Sequence, residues 1–80
     1  MPIVSLRLFA QAREAAGTGS TEVSGDTVGE VLATAAQTFG PEFAAVAEAC
    51  RVWRNGEVAQ AGDPVLDGDE VAVLPPVSGG

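Results

Sequence analysis

Histidine and lysine are missing from this sequence altogether, and cysteine occurs once, at Cys50. Without histidine the chain lacks the commonest general base and the commonest metal ligand, and no metal site is expected. A lone thiol with no histidine to activate it and no second cysteine makes neither a catalytic nucleophile nor an internal disulfide. Cys50 therefore reads as a small apolar residue near the end of a helix. The lack of lysine removes every side-chain amine on which the chain could be conjugated to itself. No apolar run approaches the length needed to cross a bilayer, and no leader pattern precedes the first strand pattern. A soluble, cytoplasmic protein without a membrane partner is expected.

Positive charge is also scarce. Eleven acidic residues face four arginines, Arg7, Arg13, Arg51 and Arg54, for a net charge of -7. A field of that sign repels phosphate backbones, so nucleic acid is not an expected partner. At 80 residues the chain suffices for one small core, burying about 60 to 65% of its unfolded surface and leaving little room for a deep pocket. A hydrophobic content of 46% with 19% charged residues is that of a globular rather than a disordered chain.

What is present is strong local patterning. From Ile3 to Phe9, Val4, Leu6 and Leu8 fall on one face and Ile3, Ser5, Arg7 and Phe9 on the other, the mark of a half-buried strand. Ala10 to Ala16 gives a short helix ended by Gly17, and a second strand follows at Ser20 to Ser24. Thr27 with Glu30 fits a capping box at the start of the main helix, whose apolar stripe is Val28, Val31, Leu32, Ala35 and Phe39. Gly40-Pro41 closes that helix and opens another to about Ala49, which turns Phe43, Val46 and Ala47 inward. Asn55-Gly56 predicts a type I′ hairpin that sets Arg54 opposite Glu57 and Trp53 opposite Val58. Gly62 to Leu66 reads as a turn region, and the last strand runs from Glu70 to Leu74.

Most familiar chemistry fails on these residues. Gly17-Thr18-Gly19 lacks the third glycine and the strand-to-helix setting of a dinucleotide fingerprint. Asp67, Asp69 and Glu70 supply only part of a calcium loop and read as a solvated turn. What remains is the stretch after the last strand, Pro75-Pro76-Val77-Ser78-Gly79-Gly80. Two prolines stiffen the exit and hold it extended. Gly79-Gly80 removes all side chains from the tip, so that a carboxylate on Gly80 can pass down a channel too narrow for any other residue. A carboxylate becomes electrophilic only with a good leaving group, which adenylation by ATP supplies. No phosphate-binding loop is present, so no cofactor is expected to be bound, and ATP would be used in trans by a partner.

The segment from Asp67 through Leu74 and on to Gly80 resembles the C-terminus of the small subunits of molybdopterin synthase, and Leu8-Phe9-Ala10-Gln11-Ala12-Arg13-Glu14 resembles that family's first strand and turn. Length and element order agree over the whole chain, while its middle is generic. The resemblance implies an α+β, β-grasp (ubiquitin-like) fold: a mixed sheet of about five strands on one main helix, the first and last strands pairing in parallel at the centre. It divides the chain into a domain at 1–74 and a flexible tail at 75–80. It also implies a sulfur carrier. An E1-like adenylating enzyme activates Gly80, a sulfur donor protein supplies the sulfur of a thiocarboxylate, and the tail enters the large subunit of molybdopterin synthase. The catalytic pocket is expected on that large subunit, where sulfur passes to cyclic pyranopterin monophosphate during molybdenum cofactor biosynthesis. Carriers for thiamine thiazole or cysteine synthesis, and a ubiquitin-like interaction domain that carries no sulfur, are the alternatives.

Parity adds a candidate docking surface. Phe9 shares the polar face of the first strand, and Leu74 lies opposite in parity to Val71 and Val73. Both are large apolar residues at positions where alternation predicts exposure. As neighbours they would form one patch with Pro75, Pro76, Val77 and Ser78 for partner binding. Arg13, at the turn after the first strand, either meets an acidic partner or stays solvated, and Trp53 and Val58 belong either to the patch or to the core.

Overall fold

A computed structural model describes residues 1–75. The elements are β1 (Ile3–Leu8), α1 (Ala10–Ala16), β2 (Ser20–Ser24), α2 (Val28–Phe39), α3 (Pro41–Ala49), β3 (Arg51–Arg54), β4 (Glu57–Val58) and β5 (Glu70–Leu74). The strands form one sheet in the order β2-β1-β5-β3-β4. β1 and β5 pair in parallel at its centre, with Leu6 opposite Val71 and Leu8 opposite Val73. The other pairs are antiparallel. This is the mixed, ubiquitin-like sheet expected.

Alternation decides which face of the sheet the helices cover. Val4, Leu6 and Leu8 of β1, Val23 of β2, and Val71 and Val73 of β5 are buried together with Ala12, Val28, Val31, Ala35 and Phe43 from the three helices. Phe43 is wholly buried, and its ring centroid stands 5.2 Å from that of Phe39, the tilted contact aromatic pairs favour. The opposite parity of the strands faces away from this layer and, among the described residues, has no helix over it. Cys50 is the C-cap of α3, half-buried against the core, and burial pushes its thiol pKa up.

Two local details go beyond the sequence pattern. The Thr27 hydroxyl accepts from the Glu30 N–H at 3.2 Å, whereas the Glu30 carboxylate reaches the Asp26 N–H at 3.1 Å. The capping box is thus shifted by one residue on its return arm. The other free donors of the first turn are taken by the 60–66 loop: Val28 N–H donates to Asp63 O at 2.9 Å and Gly29 N–H to Ala61 O at 2.8 Å. Helix starts leave such donors orphaned, and here a distant loop satisfies them, pinned in turn by buried Val65. What reads in sequence as a turn region is a structural clamp on α2.

Candidate functional site

β5 is the central strand, and its last residues come out between β1 and β3. Phe9 has left the assigned strand, which ends at Leu8, and caps α1. Its backbone stays extended, and its N–H still donates to Val73 O at 3.2 Å. This bond continues the ladder by one step and sets Phe9 beside Leu74, with Arg51 opposite Leu74 on the other side. The next row across the same face is Arg7, Ala72, Trp53 and Val58.

Phe9 is 41% exposed and Val58 56%. Leu74 is half-buried rather than open, because a residue on a central strand is flanked by neighbours on both sides. Trp53 shares this uncovered face. Its neighbour Val52 packs on the core, and Trp53 is absent from the core cluster. The apolar surface therefore runs from Phe9 and Leu74 through Ala72 to Trp53 and Val58.

Three of the four arginines border it. Arg51 and Arg7 stand in its rows, and Arg7 with Arg13 and Phe9 lines a shallow hollow of about 380 Å³. Arg13 lies across Gly19, its Nε 3.4 Å from where a Cβ on that residue would sit. Arg7 Nη1 meets Glu70 Oε2 at 3.5 Å with both side chains about half exposed, an ion pair that adds little stability. In a molecule of net charge -7, this end of the sheet is apolar with a cationic border.

The chain turns from β1 into α1 through Ala10, whose φ of 50° is left-handed. For a residue with a Cβ that conformation costs roughly 1 kcal/mol. It lets Phe9 remain in the ladder while α1 starts at once. Nothing in the residue type signals it.

Asp67 and Asp69 do not form an open cation site, since hydrogen bonds engage both. Asp67 Oδ1 accepts from Ile3 N–H at 2.9 Å. Asp69 Oδ2 accepts from Leu66 N–H at 2.8 Å, and Asp69 Oδ1 accepts from Asn55 Nδ2 at 3.0 Å. The Leu66 N–H, then the Asn55 amide, and then the charge of Arg54 hold the Asp69 carboxyl below its ordinary pKa. Among the described residues no group of three acidic or sulfur ligands converges on a metal position. Pro75, the last described residue, is half-buried. Pro76, Val77, Ser78, Gly79 and Gly80, on which the carrier chemistry was expected, lie outside the described residues.

The ThiS family matches residues 6–80 of this chain. The chain belongs to the ThiS family. As a ThiS-family member it is a ubiquitin-like sulfur carrier, with the β-grasp fold seen above. It is 40% identical to small archaeal modifier protein 1 of Haloferax volcanii over 92% of this chain and 97% of that one. A crystal structure of that protein superposes with a TM-score of 0.86, at 31% identity over 96% of this chain and all of that one. The molybdopterin synthase sulfur carrier subunit of Escherichia coli is 37% identical over 98% of this chain and 100% of its own length. In the BexX/CysO complex of Amycolatopsis orientalis one chain superposes with a TM-score of 0.80 at 25% identity, covering 96% of this chain and 99% of that one. Among the described residues of this ThiS-family protein no helix is long and apolar enough to cross a membrane.

Proposed function

We propose that this protein is the sulfur-carrying small subunit of a molybdopterin synthase, with the carboxylate of Gly80 as its working group. An adenylating partner transfers AMP from ATP to that carboxylate and releases pyrophosphate. A sulfide equivalent from a sulfur donor protein then displaces AMP, leaving a thiocarboxylate. The large subunit takes the sulfur for its pterin substrate, and water restores the carboxylate.

One observation carries the reading. The strand that leads into 75–80 is the central one, and it emerges beside Phe9 on an uncovered apolar face bordered by Arg7, Arg13 and Arg51. A tail rooted there travels into a partner that grips the face around it. Phe9 and Leu74 are the proposed anchors, and Pro75 through Ser78 span from the face to the partner's pocket. The full-length likeness to the Escherichia coli subunit supports the same role.

The test is intact mass after co-expression with an adenylating enzyme, ATP and a sulfur source, followed by assay of sulfur transfer with a molybdopterin synthase large subunit. Replacement of one oxygen by sulfur at Gly80, lost on incubation with large subunit and pterin precursor, is the expected result. A thiocarboxylate that the large subunit does not consume would move the protein to thiamine or cysteine synthesis.

The 40% identity to a modifier protein favours a second reading, acyl transfer from Gly80 to an amine of another protein. With no lysine, this chain would offer no side-chain amine for branching upon itself. Amide-linked adducts in the co-expression sample, in place of free thiocarboxylate, would decide for it.

A further inference from the structure

We propose that the β2 edge is a second docking site, separate from the root of the tail, which takes an extended partner segment of alternating apolar, basic, apolar residues. β2 forms one border of the sheet and, among the described residues, pairs only with β1. The bonds from Leu8 N–H to Gly19 O at 2.9 Å and from Gly25 N–H to Pro2 O at 3.1 Å flank its ladder. Hydrogen bonding in an antiparallel pair alternates. Thr21 and Val23 therefore bond to β1, and the main-chain groups of Glu22 and Ser24 point outward.

Sheet borders are normally blunted, because open donors and acceptors recruit other strands. The other border here is blunted: β4 has two residues, and beyond it the Gln60 N–H is held by Asp63 Oδ2 at 2.9 Å. On β2 only Ser20 is closed, its carbonyl accepting from the Thr18 hydroxyl at 3.0 Å. Neither a proline nor a positive-φ residue interrupts Ser20–Ser24.

A groove of about 280 Å³ runs beside the open stretch, between β2 and α2. Val23, Ala35 and Phe39 form its apolar floor, and Thr34 and Thr38 stand on its helix side. A strand added to β2 would turn alternate side chains into this groove. Small β-branched residues suit that depth. The residue between them would lie across from Glu22, on the uncovered face. Glu22 is exposed on that face, and the chain carries a net charge of -7, so lysine or arginine is the complementary partner there. The occupant is thus a cationic extended segment of another protein.

The experiment is an NMR titration of the full-length ¹⁵N-labelled protein with the peptide acetyl-Ser-Gly-Val-Lys-Val-Thr-Gly-Ser-amide. Amide shifts confined to Ser20–Ser24 and Thr34–Phe39 are expected. A peptide with glutamate in place of lysine, and one N-methylated at alternate positions, should each bind at least about ten-fold more weakly. Thr38→Arg, at an exposed position, should cost a similar factor without changing the melting temperature. Should that variant misfold, Glu22→Lys serves, and it should abolish the preference for the basic peptide. The proposal is overturned by an absence of shifts at millimolar peptide, by shifts centred on Phe9 and Leu74, or by equal binding of the glutamate or N-methylated peptide.

Discussion

Asn55, in the turn between β3 and β4, is clasped to Asp69, the residue just ahead of β5. Asn55 Nδ2 donates to Asp69 Oδ1 at 3.0 Å, while Asn55 Oδ1 accepts from the Glu70 N–H at 2.9 Å. A turn residue with a φ of 51° thereby fixes the first residue of the strand that leads to the tail. Asn55→Gly keeps the backbone freedom the turn needs but loses these bonds. It should lower stability by about 1–2 kcal/mol, read by denaturant unfolding, with the hairpin otherwise intact.

The Leu66 N–H on Asp69, and after it the Asn55 clasp, predict an acid sensitivity. The Asp69 pKa is lowered in the folded protein, so its stabilising effect is fully present above the ordinary Asp value of about 4 and is lost as pH falls through the lower folded value. Asp69→Asn should therefore be less stable than the parent at neutral pH, and the difference should shrink below about pH 4. Melting temperatures across that range check it; a constant gap at every pH would show that the charge contributes nothing.

Gly25 sits where a side chain cannot. A Cβ there would stand 2.9 Å from Val31 N and 3.0 Å from Val31 Cγ2, and Val31 is buried in the first turns of α2. Gly25→Ala should destabilise by about 1–3 kcal/mol, the usual cost of overpacking, as measured by chemical denaturation.

Ala10→Gly should do the reverse. It relieves a positive φ of 50° at the cost of a more flexible unfolded chain, for a net gain of up to roughly 1 kcal/mol. A lower melting temperature would show that the Ala10 Cβ makes contacts worth more than the strain.

Phe9→Glu should leave the melting temperature nearly unchanged, because the side chain already faces solvent. It should weaken association with a molybdopterin synthase large subunit by about 2 kcal/mol or more if Phe9 is an anchor. Titration calorimetry gives the affinity. Leu74→Glu should weaken association as well and cost some stability, since Leu74 is half-buried.

Gly79→Val should fold like the parent and fail to acquire sulfur, because a β-branched residue both widens the tip and restricts its backbone. Mass spectrometry of the co-expressed variant reads the result, and parental thiocarboxylate formation would remove the argument for a narrow channel.

The elements themselves were legible in the chain because their causes are local. Alternation from Val4 to Leu8, the Thr27 cap, the stripe from Val28 to Phe39, Pro41 and Asn55-Gly56 each act over a few residues, and each element formed where they indicate. The resemblance at the two ends of the chain added the parallel pairing of first and last strands. Tertiary structure alone decided the rest, because it depends on residues far apart in sequence meeting in one register. The ladder bond from Phe9 to Val73 brings Phe9 to Leu74, and the pairing of Trp53 with Ala72 settles the tryptophan on the uncovered face. Asp63 and Ala61 become the cap of a helix more than thirty residues earlier. Ala10 is strained because the ladder and α1 both claim their residues without a spacer. Periodicity reports which way a side chain points; only the folded sheet determines what stands beside it.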